Sequence, residues 1–290
     1  MKILIFGASG TVGSALYDAL SDEHDVFATF NKNKPDNAQP KRWLKFDIAN
    51  VAATDYILEA VRPDMVISSL TGQFDLQMAV HSRIAAHLKS SGHRLIFMST
   101  ANVFDGDMRG GHNEDSATHA ISQYGKFKVS CEDLLKDILG EKCLIVRLPK
   151  ILSRDFATKM IEQIKEGKPV YSNLYINLNT AQNVAQAIRH CIQSDKSGIL
   201  HLPSHDHISI DDWERQTHKH LGESIDYKAQ QLTAEHFNEM MGNDNPDLLQ
   251  TRDDGNFYLT LTSNDEDIKA KFAISCEEAI KALNNRLLQS

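Results

Sequence analysis

Three glycines at every third position, directly after a short apolar run, are the feature that most limits the fold of this chain. Ile3-Leu4-Ile5-Phe6 leads into Gly7-Ala8-Ser9-Gly10-Thr11-Val12-Gly13. A continuous apolar run that ends in glycine is typical of a strand buried on both faces of a parallel sheet. Glycines at this spacing let the backbone turn tightly into a helix, which the pattern predicts over residues 12–20.

The same alternation of strand and helix continues through the first half of the chain. Further strands are predicted at 26–30, 44–47, 65–67, 94–98 and 144–148, with helices at 57–61, 78–88 and 122–139 and a polar loop at 31–40. Repeated units of this kind imply right-handed crossovers and an α/β fold with a doubly wound parallel (Rossmann) sheet. Ligands of such sheets bind beyond the carboxyl ends of the strands.

After Pro149 the alternation becomes irregular. Helices are predicted at 156–164, 184–192, 210–221 and 277–288 and a strand at 198–202, whereas the stretch with Tyr171 and Tyr175 has no regular pattern. We therefore expect a nucleotide-binding domain at 1–150. A smaller α/β substrate lobe at 151–290 would complete the cleft and pack partly on the first domain.

Composition narrows the class of partner. A chain of 290 residues with 41% hydrophobic content can bury a full core. The net charge of -8 and the pI of 5.9 argue against nucleic acid or an anionic membrane as a partner and favour a small molecule. No stretch approaches the roughly twenty apolar residues of a membrane span, so a cytoplasmic protein is the expectation.

The four cysteines lack the spacing of a redox or zinc motif. Cys131, Cys143, Cys191 and Cys276 include no Cys-x-x-Cys pair, which argues against a disulfide framework and a structural zinc site. We expect reduced thiols and no metal.

The glycine-rich turn has the chemistry of a phosphate cradle. Missing side chains bring backbone amides to a helix N-terminus, where they bind a pyrophosphate. The expected contacts here are Gly7, Ser9, Gly10, Thr11, Val12 and Gly13. The sequence therefore predicts a dinucleotide site, with an ordinary strand-to-helix turn as the alternative.

The choice of dinucleotide depends on the end of the second strand. An Asp or Glu there would bind the ribose hydroxyls of NAD, but the chain reads Asn31-Lys32-Asn33-Lys34. Lys32 and Lys34 would neutralise a 2′-phosphate, which favours NADPH, with NADH as the alternative; the competing interpretation is a solvated loop with two surface lysines. The remaining cofactor residues are expected to be Asn31, Asp47 and Ile48 on the adenine side and Ser68, Ser69 and Leu70 on the nicotinamide side.

Tyr124 and Lys128 suggest proton transfer. Four positions apart on a predicted helix, they share one face. A phenol with a pKa near 10 is a poor acid–base catalyst at neutral pH, but a neighbouring ammonium favours its ionised form. Tyr124 would donate a proton to a carbonyl oxygen, Lys128 would tune the phenol and bind the nicotinamide ribose, and Thr100 would hydrogen-bond the same carbonyl. The alternative is a surface helix pair without a role.

Other polar residues point less clearly to a site. His201, His205 and His207 fit no standard metal spacing, and a solvated loop is the favoured interpretation. His218 and His220 are expected at the surface. Residues 105–111 lack the ligand spacing of a calcium loop, and we interpret them as a mobile flap over the site.

At these residues the chain resembles the extended short-chain dehydrogenase/reductases, most closely the dTDP-4-dehydrorhamnose reductase (RmlD-like) branch. The resemblance covers most of the chain, including the glycine turn, Asp47-Ile48, Arg62-Pro63-Asp64, Ser99-Thr100, Val103-Phe104-Asp105-Gly106, Glu114-Asp115, Tyr124-Gly125-Lys126-Phe127-Lys128, Val146-Arg147 and the expected substrate-lobe strand Gly198-Ile199-Leu200-His201-Leu202. It implies that Thr100, Tyr124 and Lys128 are the catalytic trio. It also implies NADPH- or NADH-dependent reduction of a keto group on a nucleotide-activated deoxysugar, without a catalytic metal.

The chain departs from this family on what we expect to be the substrate side. Ala101-Asn102 stand where members have Asp-Tyr, His81 replaces an asparagine, and the segment at 68–74 is shortened. Altered specificity is therefore favoured over lost chemistry.

Two alternatives use the same scaffold. One is a non-catalytic regulatory subunit that resembles the methionine adenosyltransferase regulatory subunit, and the other is an epimerase or dehydratase. Ala101-Asn102 offer none of the acidic residues that a dehydratase places beside the threonine. The expected partners are a nucleotide-sugar substrate and, as an option left open, a second copy of the chain in a homodimer.

Overall fold

The computed structural model describes residues 1–35, 41–222 and 226–285. The chain forms two compact units, each built from three stretches. Unit 1 comprises Met1–Ser99, Phe127–Arg147 and Ala181–Leu200, and unit 2 comprises Thr100–Lys126, Leu148–Thr180 and His201–Ser290, in their described parts. The division into domains at residue 150 stays a prediction.

The elements alternate as the sequence pattern indicates in the first half. The strands are β1 (Lys2–Phe6), β2 (Asp25–Phe30), β3 (Trp43–Lys45), β4 (Met65–Ser68), β5 (Arg94–Thr100), β6 (Cys143–Leu148), β7 (Lys150–Leu152), β8 (Leu174–Ile176), β9 (Leu178–Thr180), β10 (Gly198–His201), β11 (Ile208–Ser209) and β12 (Phe257–Leu259). The helices are α1 (Thr11–Leu20), α2 (Ala53–Val61), α3 (Phe74–Ser91), α4 (Gln123–Leu139), α5 (Arg154–Lys165), α6 (Ala181–Gln193), α7 (Ile210–Leu221), α8 (Ala234–Met241), α9 (Glu266–Phe272) and α10 (Cys276–Asn285).

A seven-stranded sheet is the centre of unit 1. Its strand order is β10-β6-β5-β4-β1-β2-β3, and β1 pairs in parallel with β2 on one side and β4 on the other. Chain order reverses between β1 and β4, which makes this the switch point at which ligands of open α/β sheets bind. The doubly wound parallel fold predicted from the sequence is confirmed.

The core of unit 1 forms where alternate strand residues meet the apolar faces of α2, α3 and α4. Strand side chains point alternately to opposite faces of the sheet. Phe127, Cys131, Leu135 and Leu139 recur at helical spacing along α4 and are buried in this cluster. Phe127 stacks on Phe74 of α3 with ring centroids 4.7 Å apart. Helices α1 and α6 pack against each other.

Unit 2 contains two small sheets. One has the order β11-β8-β12, and the other pairs β7 with β9. The polar stretch with Tyr171 and Tyr175, to which the sequence pattern assigns no element, contains β8 and leads into β9. Strands of three residues are too short for a recognisable alternation.

The segment at 105–111 is not a free flap. Asp107 forms a β-bridge with Gln250 and Arg109 with Tyr258, while Met108 is fully buried in an apolar cluster with Phe237. Its interpretation as a mobile flap is therefore wrong, because backbone pairing and core packing both fix it within unit 2.

Three further expectations need correction. The strand expected in the substrate lobe is β10, the edge strand of the large sheet. His201 is fully buried, with Nδ1 3.0 Å from the carbonyl oxygen of Thr262, rather than in a solvated loop. His218 is buried beside Glu214 (Nε2 to Oε2, 3.2 Å), whereas His220 is exposed. His201 therefore has a backbone carbonyl partner within unit 2, and His218 faces the Glu214 carboxylate.

Two predicted segments extend beyond the residues that the structure describes. Positions 36–40 of the predicted loop and 286–288 of the predicted last helix lie outside the described residues. Among the helices that are described, none has the length and apolar character to cross a membrane.

Candidate active site

The turn from β1 to α1 presents backbone amides at the switch point of the sheet. Helix α1 begins at Thr11, and its N-cap Gly10 has no side-chain capping hydrogen bond and no acidic residue in the following turn. Ser9, Gly10 and Thr11 are exposed. The first N–H groups of a helix have no partner within the helix and carry partial positive charge, so this terminus is open to an anion.

The close approach of the turn to the start of the helix requires a glycine at position 13. A Cβ there would lie 2.3 Å from the carbonyl oxygen of Gly7 and 2.7 Å from Cα of Ala8. The backbone N–H of Gly7 donates to Oγ1 of Thr29 on β2 (3.0 Å), and Oγ of Ser69 donates to the Gly7 carbonyl oxygen (3.1 Å). The turn is thus held by both neighbouring strands, and its chemistry fits a dinucleotide pyrophosphate.

The other predicted cofactor residues lie at the carboxyl ends of the strands in unit 1. Asn31, Lys32 and Lys34 follow β2 and are exposed. Asp47 is also exposed, while Ile48 beside it is half-buried. The exposed side chains of Lys32 and Lys34 are accessible to the 2′-phosphate that we expect them to bind.

The residues at the end of β4 are more buried than those that follow β2. Ser68 is fully buried and its Oγ lies 2.8 Å from Nε2 of His81, so its side chain is already committed. Ser69 is half-buried and Leu70 belongs to the core. The cofactor contacts of Ser68 and Leu70 stay a prediction, and their backbone atoms would make them.

Thr100 and Tyr124 come together in unit 2. Thr100 ends β5, its Oγ1 accepts from the backbone N–H of Asn102 (3.2 Å), and it donates to Oδ1 of Asn102 (3.1 Å). Thr100 and Tyr124 line the same cavity. Thr100 lowers the pKa of the Tyr124 phenol, and Tyr124 is 40% exposed. Burial raises the pKa of the Tyr124 phenol and outweighs the lowering by Thr100. The phenol is therefore protonated at neutral pH, as a proton donor must be.

Both residues open onto a cavity of about 460 Å³, here called the unit 2 cavity. Its lining is Thr100, Ala101, Asn102, Tyr124, Leu148, Pro149, Lys150, Phe156, Met160, Ile176, Ile210, Trp213 and Leu259. A cavity of this size with mainly apolar walls and a few convergent polar groups is typical of small-molecule sites.

Lys128 belongs to unit 1, one helical turn beyond Tyr124 in the sequence of α4. Its Nζ donates to the carbonyl oxygen of Met98 (3.0 Å) and lies 4.6 Å from the ring centroid of Phe97. Burial lowers the pKa of Lys128 to about 8, against the opposing influence of Cys131 and Glu132. The structure thus holds the ammonium in a fixed place and brings its titration close to neutral pH.

Sequence reasoning missed a buried polar network behind Lys128. Arg147 on β6 forms a bidentate ion pair with Glu132 on α4, with Nη2 2.7 Å from Oε2, and the Ser99 hydroxyl donates to Oε1 of Glu132. Both charged side chains are almost fully buried. The three residues are spread over the sequence, and only the apolar surroundings of Arg147 in its strand hint at a buried pair.

His81 also has a different place from the one expected. It is fully buried in unit 1, bonded to Ser68, with its ring edge on Phe97 at 5.0 Å between centroids. Burial, with a smaller contribution from Lys128, lowers the pKa of His81 to about 3, so the ring is neutral. The interpretation that His81 touches the substrate is therefore wrong.

Metal-ligating side chains do not cluster. Across residues 1–35, 41–222 and 226–285, no three His, Cys, Asp or Glu side chains form a group that would hold a metal ion. The four cysteines are buried thiols, and burial raises the pKa of Cys131, Cys143 and Cys276 to about 12.

Among known proteins, the chain is similar to a keto-deoxysugar reductase and to a methionine adenosyltransferase subunit. The chain is 30% identical over 144 residues to dTDP-4-keto-6-deoxy-D-glucose reductase of Streptomyces niveus. The match covers 48% of this chain and 50% of that protein. It is also 24% identical over 202 residues to methionine adenosyltransferase 2 subunit beta of Mus musculus. That match covers 61% of this chain and 55% of that protein. The chain thus matches about half the length of each relative.

A solved structure shares the fold over the whole chain. The dTDP-4-dehydrorhamnose reductase of Bacillus anthracis, solved in complex with NADP, superposes with a TM-score of 0.71 at 18% identity, over 100% of this chain and 99% of that one. The sequence profile described as the RmlD substrate binding domain matches residues 1–240. This chain therefore belongs to the RmlD substrate binding domain family.

Proposed function

We propose that this protein is an NADPH-dependent reductase that reduces the keto group of a dTDP-linked deoxysugar. The observation that carries the proposal is that Thr100 and Tyr124 both open onto the unit 2 cavity, with the phenol protonated. The Streptomyces niveus relative, whose name states a reduction of this kind, supports the substrate class.

The β1–α1 turn would bind the cofactor pyrophosphate through the amides of Ser9, Gly10, Thr11 and Val12. Lys32 and Lys34, in a segment without a carboxylate, favour a 2′-phosphate and hence NADPH over NADH. The NADP bound by the Bacillus anthracis enzyme supports the same choice. A reduced nicotinamide supplies the hydride that the carbonyl carbon of the substrate accepts.

The side chains of this protein would carry out the proton transfer. Tyr124 Oη donates its proton to the carbonyl oxygen as the carbon accepts the hydride, so the ketone becomes an alcohol and the phenol becomes a phenolate. Thr100 hydrogen-bonds the same oxygen and orients it. Lys128, held by the Met98 carbonyl, stabilises the phenolate by its charge and binds the nicotinamide ribose.

The test follows consumption of reduced nicotinamide by the purified protein with dTDP-4-keto-6-deoxy-D-glucose. We expect turnover with NADPH, slower turnover with NADH, and a loss of the preference in Lys32→Ala. Lys41→Ala, a change at another exposed lysine of unit 1, serves as the matched control. Binding of NADPH without consumption of the keto sugar would contradict the proposed reaction.

A second candidate is a non-catalytic NAD(P)-binding subunit, favoured by the match to methionine adenosyltransferase 2 subunit beta. It predicts tight NADPH binding with no turnover of any keto sugar. The presence of Thr100, Tyr124 and Lys128 together favours the reductase. An epimerase on the same scaffold would isomerise the sugar without net consumption of NADPH, which product analysis in the same assay detects.

A further inference from the structure

Asp105 is a fully buried carboxylate of unit 2 that follows the short helical turn Ala101–Phe104. Its Oδ1 accepts hydrogen bonds from the backbone N–H groups of Ile121 (2.7 Å) and Ser122 (3.2 Å). Its Oδ2 accepts a hydrogen bond from the Ser122 hydroxyl. Burial of a carboxylate is costly unless hydrogen bonds replace its water, and these donors all belong to the residues that lead into α4. Asp105 therefore fixes the entry to that helix.

Ser122 connects Asp105 to the first turn of α4. Its Oγ accepts a hydrogen bond from the N–H of Gly125 (2.9 Å), and its carbonyl oxygen accepts from the N–H of Lys126 (3.0 Å). Contacts of this kind cap the start of a helix. A hydroxyl has one proton, and Ser122 donates it to Asp105, so its lone pairs remain directed at the helix amide. Because Tyr124 directly precedes Gly125, the same contacts set the position of its backbone.

The turn that follows Thr100 packs directly on the same part of α4. A Cβ at Gly125 would lie 2.3 Å from the carbonyl oxygen of Asn102 and 3.0 Å from Oδ2 of Asp105. The Asn102 carbonyl oxygen also accepts a hydrogen bond from the N–H of Asp105 (3.2 Å). The N–H of Asn102 in turn donates to Oγ1 of Thr100 (3.2 Å). The turn of Thr100 and the helix of Tyr124 thus meet at Asp105.

We propose that Asp105 is a positioning residue of the proton transfer, which acts through Ser122 and holds the Tyr124 phenol in place beside Thr100. The proposal rests on the proposed function, because it takes Tyr124 and Thr100 as the groups that act on the keto oxygen. Proton transfer requires the donor to stay within hydrogen-bond reach of that oxygen, and a displacement of about 1 Å can lower the rate by about 10²-fold. The Tyr124 side chain is exposed, so the backbone beneath it contributes more to its position than packing around the ring does.

Glu114 provides a matched control, because its carboxylate makes the same kinds of contacts in another part of unit 2. It accepts hydrogen bonds from the backbone N–H groups of His201 (2.9 Å) and Asn264 (2.8 Å) and from the hydroxyl of Ser263 (2.6 Å). These four residues are not part of the lining of the unit 2 cavity. A change from carboxylate to amide at Glu114 should therefore affect stability without moving Tyr124.

The first arm of the test measures kcat and NADPH affinity with dTDP-4-keto-6-deoxy-D-glucose as the substrate. Asp105→Asn keeps the size of the side chain but removes an acceptor for the Ser122 hydroxyl, and Ser122→Ala removes the hydroxyl alone. We expect each change to lower kcat by about 10- to 100-fold and to leave NADPH affinity unchanged. Glu114→Gln keeps the wild-type kcat. In a Tyr124→Phe background, Asp105→Asn should cause no further loss, because its effect passes through the missing hydroxyl.

The second arm follows the Tyr124 phenol by NMR without any substrate. In protein labelled with ¹³C at tyrosine Cζ, the resonance of Tyr124 is the one that Tyr124→Phe removes. We expect this resonance to shift in Asp105→Asn and in Ser122→Ala and to keep its wild-type position in Glu114→Gln.

An unmoved Tyr124 resonance in Asp105→Asn and Ser122→Ala would overturn the proposal, as would an equal shift in Glu114→Gln. If Asp105→Asn does not fold, Ser122→Ala alone decides between these outcomes. An absence of turnover by the wild-type protein contradicts only the proposed reaction, because the resonance still reports the position of the phenol.

Discussion

The ammonium of Lys128 donates a hydrogen bond of 3.0 Å to the backbone carbonyl oxygen of Met98. The contact joins α4 to β5, the two elements whose ends contain Tyr124 and Thr100. A carbonyl oxygen carries only partial negative charge, so it orients the ammonium without neutralising it. The carbonyl oxygen therefore fixes the cation without cancelling the charge that the proposed mechanism uses.

The first prediction concerns the pH dependence of the reaction. Lys128 has a pKa of about 8, so it is charged below that pH and loses its charge above it. We expect kcat/KM to fall as the pH rises through about 8, because kcat/KM reports the groups of the free enzyme. Tyr124 does not account for this fall, since burial raises its pKa above the ordinary value near 10.

The variant Lys128→Arg tests whether deprotonation of Lys128 causes the fall in kcat/KM. The guanidinium stays charged across the range, so the variant keeps some activity and its profile lacks the fall near pH 8. Lys126→Met, an exposed position on the same helix, keeps the wild-type profile. An unchanged fall in Lys128→Arg would show that another group titrates.

The second prediction concerns the buried pair of Arg147 and Glu132. Arg147→Met leaves an unpaired buried carboxylate and should lower the free energy of unfolding by about 3–5 kcal/mol. Lys136→Met breaks the exposed pair with Asp133 on the same helix and should cost less than about 1 kcal/mol. Denaturant unfolding of both variants tests the difference, and similar losses would contradict a structural role for the buried pair.

The third prediction uses the neutral state of His81. Its pKa is about 3 in the folded chain and near 6.5 when unfolded, so the unfolded state binds the extra proton below pH 6.5. Stability from this group is complete above pH 6.5 and falls by about 1.4 kcal/mol per pH unit as the pH drops towards 3.

His81→Asn removes this titration while keeping a polar side chain beside Ser68. Between pH 6.5 and 5, denaturant unfolding should show the wild-type protein losing about 2 kcal/mol more than the variant. Parallel pH dependences of the two proteins would mean that His81 is not held neutral.

The fourth prediction separates two glycines of the β1–α1 turn. Gly13→Ala would force a Cβ to within 2.3 Å of the Gly7 carbonyl oxygen, so it should lower both thermal stability and NADPH affinity. At Gly10 the nearest atom to an added Cβ is 3.4 Å away, so Gly10→Ala should fold normally. Its methyl group would obstruct a pyrophosphate at the helix terminus and weaken NADPH binding alone. Equal loss of stability in both variants would contradict this distinction.

The sequence predicted the sheet of unit 1 well because its strands are continuous apolar runs between helices of regular period. Strands β1, β2 and β4 lie within one or two residues of their predicted bounds. The sequence motifs predict that Thr100 and Tyr124 act on the same carbonyl oxygen, and both residues line the unit 2 cavity.

Local pattern could not predict features that depend on distant partners. His218 is buried beside Glu214 in α7 and near the ring of Tyr227, and neither neighbour changes the polar appearance of its own stretch. The two- and three-residue strands of unit 2 carry no periodicity. The cavity that Lys150 lines is also formed by residues of α5, β8, α7 and β12, so the residues next to Lys150 in the sequence carry no signal of this position.

The account depends most directly on the proton of Tyr124. Tyr124→Phe keeps the ring and removes only the hydroxyl, while Tyr175→Phe makes the same change outside the cavity. With dTDP-4-keto-6-deoxy-D-glucose and NADPH, we expect kcat of Tyr124→Phe to fall by about 10²- to 10⁴-fold with NADPH affinity unchanged, and Tyr175→Phe to remain active. Full activity in Tyr124→Phe would contradict the mechanism.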